Sequence, residues 1–189
     1  MDLAAVYRDL QERLAQAASD RRSPMHVPVV ATPDAQVRMM VLREWDAARR
    51  TLRFHTDARS PKVAMLGEGA PAGVLFHDAE AKIQIRVRGM GRVETYTPAA
   101  DTAWEAASNF ARRCYLVEAA PGTVRHGPGS GLPTDVEGRK PDDEELVPAR
   151  ENFAILLIEV EEFDWLYLDH AGHRRAIFRH GQEGCWVQP

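Results

Sequence analysis

Residues 82–96, KIQIRVRGMGRVETY, carry the clearest period-two signal in the chain. Ile83, Ile85 and Val87 fall on one face and Gln84, Arg86 and Arg88 on the other, as expected of a strand with one buried face. Gly89 and Gly91 interrupt the alternation. Glycines inside a strand suggest a bulge or bend, the device by which sheets curl into barrels.

Partners for that strand lie on both sides of it. HVPVVA (26–31) and QVRMMVLREW (36–45) are strand-like runs separated by the turn Thr32-Pro33-Asp34, and the polar tip 46–50 leads into TLRFHT (51–56) as a hairpin. AGVLFHD (72–78), NFAILLIEV (152–160), FDWLYLD (163–169), HRRAIFR (173–179) and CWVQ (185–188) read as further strands, with Ala171-Gly172 a tight turn. Helical spacing is found at Leu3, Tyr7, Leu10 and Leu14 over residues 3–18, in a short segment 60–67, and over 98–117. In the last of these, Trp104, Ala107, Phe110 and Cys114 share a side, which predicts Cys114 as buried packing. Residues 119–149 form a polar, glycine- and proline-rich stretch, read as a long surface loop because no GK[ST] follows its glycines; a short helix is expected at 142–151.

About seven short strands at hairpin spacing with two or three helices inserted favour a mainly β fold, a mostly antiparallel barrel with flanking helices, over a doubly wound parallel sheet. At 189 residues with no repeat or linker, the expectation is a single domain over 1–189, with an N-terminal helix within 1–20. A net charge of −4 gives no reason to expect nucleic-acid binding. The two cysteines suggest a reducing compartment, and the charge-interrupted N-terminus argues against a secretory signal or membrane span, so the cytoplasm is the default expectation.

HExxH, CxxC, a Walker loop, a nucleophile elbow and an EF-hand series are all missing from the sequence. His170, His173 and His180 are close in sequence, but a hairpin does not bring three imidazoles together, so no metal site is expected. No catalytic side chain is assigned. The chemistry that remains is anion binding and planar contact. In FHTDARSPK (54–62), Thr56, Ser60 and Lys62 offer two hydroxyls and an ammonium at the start of a helix, suited to a phosphate. The same residues also suit an ordinary helix start, with Ser60 as N-cap, Pro61 in the first turn and Lys62 solvated. Arg38, Arg43 and Arg175 can clamp a phosphate, and Gln84 can meet a flat heterocycle. Arg38 and Arg43 conflict with a shared ligand unless the strand is bulged, since a regular strand separates them by roughly 16 Å on opposite faces.

The joint order of RMMVLR (38–43), FHTDARSPK (54–62), IQIRVRGMGRVE (83–94), EFDW (162–165) and HRR (173–175) resembles the pyridoxamine 5′-phosphate oxidase family, and more closely its FMN-binding relatives, over about residues 20–180. That resemblance implies an FMN-binding split β-barrel and a homodimer with FMN in clefts at the subunit interface. By position it implies Arg38, Thr56, Ser60 and Lys62 around the FMN phosphate. Arg43 stands where the oxidase has a lysine near the flavin, and His55 where the family often has tyrosine. Gln84 would meet the flavin ring, with Trp165 and Arg175 completing the site from the other subunit, and Arg43 and His173 would contact substrate. Two departures matter. Pro61 replaces a family arginine, and the Arg-x-His-x-Arg pattern is reduced to Ala171-Gly172-His173-Arg174-Arg175, removing a charged phosphate contact worth roughly 1.5–3 kcal/mol. The reading is an FMN-dependent oxidoreductase acting with a small-molecule substrate or electron donor, its substrate not necessarily pyridoxamine phosphate. The alternative is a flavin- or haem-binding carrier or sensor without turnover.

Overall fold

The computed structural model describes residues 2–189. Among these, nine strands form one antiparallel sheet in the order β2-β1-β5-β6-β7-β4-β3, with β8 on β7 and β9 on β8. The strands are β1 Val29–Ala31, β2 Val37–Met39, β3 Leu42–Asp46, β4 Thr51–Asp57, β5 Ala70–Asp78, β6 Ile83–Glu94, β7 Phe153–Tyr167, β8 Arg174–Arg179 and β9 Cys185–Val187. Four α-helices accompany them, α1 Leu3–Ser19, α2 Pro61–Leu66, α3 Pro98–Ala106 and α4 Asn109–Arg112.

The 15-residue strand β7 organises the sheet. β6 runs along one edge of it, while the other edge pairs with β4 over Phe153 to Glu159 and with β8 over Glu162 to Tyr167. Where β4 leaves and β8 begins, Arg88 pairs with Glu162 and Gly89 with Val160, so Glu161 is an extra residue on β7. A bulge there sharpens the twist and curls the sheet into a split half-barrel. Gly89 is required at this point, because a Cβ would overlap the Glu159 carbonyl oxygen.

The concave face buries the main core, including Phe54, Phe76, Ile85, Phe163 and Trp165. Helix α1 closes it with Val6, Leu10, Leu14 and Ala17, one stripe at helical spacing, and Asp2 caps the helix by accepting from the Ala5 N–H at 2.7 Å. On the convex side of β4 and β7 a smaller cluster forms, where Ala100 and Ala103 of α3 cover Phe153 and Ile155 with Trp104 and Tyr115 beside them.

The strand expected at 36–45 is two strands, and those expected at 152–160 and 163–169 are one. The helix expected over 98–117 breaks at Ala107, whose backbone is extended, because Ser108 caps a new turn by accepting from the Ala111 N–H. The rotation lost there leaves Cys114 exposed rather than packed, and Phe110 exposed with it. The short helix expected at 142–151 is a turn followed by a 3-10 segment, Val147–Asn152. Among the described residues no helix is long and apolar enough to cross a membrane.

Candidate functional site

Thr56, Ser60 and Lys62 meet at the end of β4 and the start of α2. Lys62 Nζ donates to Thr56 Oγ1 at 2.9 Å and to Ser60 Oγ at 2.6 Å. Ser60 therefore does not act as a side-chain cap; its hydroxyl is turned to the ammonium. With only six residues, α2 contributes little dipole, so this cradle rests on side chains. The turn before it is stapled by Arg59, which donates to Asp57 through Nε at 3.0 Å and Nη2 at 2.8 Å and reaches the Val117 carbonyl at 3.0 Å. Asp57, the adjacent carboxylate, is thereby matched to Arg59 rather than Lys62.

Arg38 faces the same cradle. Its Nη1 donates to the hydroxyl of buried Thr32 at 2.8 Å, and that hydroxyl donates onward to Asp34 at 2.6 Å. Burial, with the Arg38 guanidinium second, lowers the Lys62 ammonium pKa. Neither cation makes an ion pair with a carboxylate among the described residues; Asp57 acts on Lys62 only as the weakest of its neighbours and Asp34 stands one hydroxyl away from Arg38, so two positive charges converge on a partly buried point lined by hydroxyls. A phosphate fits that donor set in charge and in hydrogen bonding.

Arg43 and His55 lie on the convex side of β4. His55 and Thr56 are successive strand residues and project to opposite faces. Leu42 pairs with Phe54 and Glu44 with Arg53, so Arg43 is the extra residue of a second bulge. That bulge and the break at Met40–Val41 interrupt the strand between the two arginines but leave Arg38 at the Thr56 cradle and Arg43 on the His55 side. The His55 ring packs edge-on against Phe153 at 4.9 Å, and its Nε2 is buried without a hydrogen-bond partner. Burial first, then the charges of Arg43 and Arg53, push its pKa down to about 3, so the ring is neutral at physiological pH. Tyr115, which raises no signal in the sequence, joins this group; burial pushes its phenol pKa up.

Gln84 and Arg175 share the convex face further along, separated across the sheet by Leu166 of β7. Arg175 donates to both oxygens of Asp164, from Nε at 2.9 Å and Nη2 at 2.8 Å, and Arg86 reaches the same carboxylate. Burial alone raises the Asp164 pKa, but the hydrogen bonds from the two arginines outweigh it and hold the carboxyl below its ordinary range. Asp164 was legible as the acidic partner of Arg86 only once the β6–β7 register was known. Trp165 does not join Arg175. It pairs with Ala176 on the concave side, 1% exposed in the core, with its indole N–H unpartnered. His173 lies in the β7–β8 turn, where its Nδ1 accepts from the Asp169 N–H at 3.1 Å, and it lines an open cleft of about 380 Å³ with Arg175 and Trp186.

Residues 5–95 match the family described as pyridoxamine 5′-phosphate oxidase, FMN-binding domain. Comparison with curated proteins gives no significant match. Among solved structures, a pyridoxamine 5′-phosphate oxidase-related, FMN-binding protein from Nostoc punctiforme superposes with a TM-score of 0.72 at 23% identity, covering 100% of both chains. PhzG from Burkholderia lata, solved with tetrahydrophenazine-1-carboxylic acid, gives 0.63 at 18% identity over 99% of this chain and 92% of its own. A Clostridium acetobutylicum protein related to general stress protein 26 gives 0.56 at 11% identity over 95% and 97%. The resemblance read from the motifs therefore holds: the chain has the split-barrel fold of the pyridoxamine 5′-phosphate oxidase-related FMN-binding proteins and matches that family over residues 5–95.

Proposed function

We propose that this chain binds FMN and acts as an FMN-dependent oxidoreductase, as a homodimer in the cytoplasm. One observation carries the reading: Lys62 and Arg38 converge beside the Thr56 and Ser60 hydroxyls while the neighbouring carboxylate, Asp57, is taken by Arg59. Such a point calls for a dianion. Arg38, Thr56, Ser60 and Lys62 would hold the phosphate. Arg43 and neutral His55 with its free Nε2 would meet the ring, while Gln84 and Arg175, together on the convex face at the other end of β7, would reach it across the dimer. Trp165 enters this reading as packing under the sheet rather than as a ligand contact.

Bound FMN would supply the electron chemistry, and the protein binding, orientation and electrostatic tuning. Arg43 and His173 are the side chains assigned to substrate. Arg175 is tied to Asp164, and Ala171 stands in place of an arginine. Both features weaken any hold on a phosphorylated substrate and keep the second reading open, a flavin carrier without turnover.

Purified protein should be yellow and release FMN on denaturation, and Lys62→Met should hold the flavin more weakly with its circular dichroism unchanged. A colourless wild-type protein that takes up no added FMN refutes the reading. Oxygen consumption on addition of reduced nicotinamide or candidate amines then separates enzyme from carrier. Within the enzyme reading, His173→Ala should impair turnover more than flavin retention.

A further inference from the structure

A cavity of about 690 Å³ opens between the start of α1, the β3–β4 turn and the β8–β9 turn, lined by Tyr7, Arg50, Phe178, Arg179, Glu183 and Gly184 among others, Glu183 being its one carboxylate. Its walls are mostly apolar. The Tyr7 and Phe178 rings lie 5.2 Å apart, tilted by 48°. Gly184 lets the β8–β9 turn sit directly on Phe178, since a Cβ there would come within 2.5 Å of the ring.

Arg50 supplies the polar end. Its backbone is left-handed, with φ of 51°, a conformation unusual for a long side chain and held here by surrounding contacts. Its carbonyl accepts from the Val160 N–H at 2.8 Å, and its Nε donates to the Val160 carbonyl at 3.1 Å. Nη1 donates to the Tyr7 hydroxyl at 3.1 Å, and the guanidinium lies 5.0 Å from the Phe163 ring centre. Nη2 is buried without a partner. The nearby hairpin carboxylate Asp46 pairs with Arg49, and Glu162 with Arg88 and Arg179, so among the described residues no carboxylate is matched to Arg50. A half-buried cation that no carboxylate pairs, with Arg179 also on the cavity wall against the single Glu183, favours an anionic guest. The Tyr7 hydroxyl, having accepted from Arg50, keeps its own proton to donate into the cavity.

We propose that this cavity is a second binding site, separate from the flavin cradle, for a small flat aromatic monocarboxylate. The carboxylate accepts from the Tyr7 hydroxyl with the Arg50 charge behind it, and the aromatic body lies against Tyr7 and Phe178.

The test is calorimetric titration of the full chain, with and without FMN, using 2-naphthoate, its uncharged analogue 2-naphthamide, and octanoate. Saturable binding of 2-naphthoate is expected in both states. The amide should bind at least tenfold more weakly, octanoate more weakly than 2-naphthoate, and Tyr7→Phe should weaken the acid about fivefold while leaving flavin content unchanged. Arg50→Met should abolish acid binding; should that variant fail to fold, Tyr7→Phe and the amide decide the matter. Absence of saturable binding, equal affinity for acid and amide, tighter binding of octanoate, or binding that FMN displaces and Tyr7→Phe leaves intact each overturns the proposal.

Discussion

Lys62 shows how one side chain can be specified by what it lacks. Two hydroxyls accept from it, a guanidinium repels it, and the adjacent carboxylate is matched elsewhere. Removing a charged contact of this kind costs about 1.5–3 kcal/mol, so Lys62→Met should weaken FMN about 10- to 150-fold, measured by quenching of flavin fluorescence. Because burial and Arg38 lower the Lys62 pKa, retention of FMN in the wild type should fall on alkaline titration before the ordinary lysine value of 10.5 is reached. His55 makes the converse case for stability. Its pKa is about 3 in the fold against 6.5 for a free imidazole. The unfolded chain therefore binds the extra proton between those values, and stability present above pH 6.5 is lost as pH falls, by up to about 1.4 kcal/mol per pH unit. His55→Phe should flatten that slope in urea melts between pH 6.5 and 4. These residue types and their spacing were legible in the sequence. What was not legible was partnership: that Ser60 serves Lys62 rather than the helix, or that Asp57 belongs to Arg59, depends on rotamers set by the folded turn.

At the level of elements, alternation over 82–96 located β6 and its buried face correctly, and the glycines marked its curl. The bulge itself sits on the partner strand, at Glu161, and no periodicity within β6 could reveal that. Trp165 illustrates the consequence. The motif order places it with Arg175, but register pairs it with Ala176, and adjacent register positions point to opposite faces. Helix 98–117 was overextended because its apolar spacing continues through Ala107, while Ser108 offers a competing cap. Gly89→Val tests the element directly. Its side chain has no room beside the Glu159 backbone, so about 1–3 kcal/mol of stability should be lost, read as a lower urea midpoint. An unchanged midpoint would show that the bulge adapts.

The whole molecule presents a convex face whose chemistry changes along its width. Val37 and Met39 on β2 are exposed, and Leu75 on β5, across Val29 of β1 from Met39, stands next to Arg86, with Arg88, Arg175 and Arg179 beyond it ranged around buried Glu162 and Asp164. If this face joins two copies, as the proposed flavin clefts require, Met39→Glu should shift the protein to monomer in light scattering and release FMN in parallel. A dimer that survives with its flavin would remove this face from the interface. Acid should act through the same ladder. The Asp164 pKa is held below its usual 3.8, so its contribution, complete at neutral pH, is lost as pH falls through that lowered value.

The shared use of β7 by β4, β6 and β8 also sets an order of events during synthesis. Residues 51–94 leave the ribosome long before residues 153–167, so β4 and β6 each wait with an open edge for one late-arriving strand. Unpaired edges of that kind template intermolecular pairing, and contacts of such long sequence separation form slowly. A released chain truncated before residue 153 should accordingly draw chaperones and collect as insoluble material, whereas one that ends after residue 179 should not.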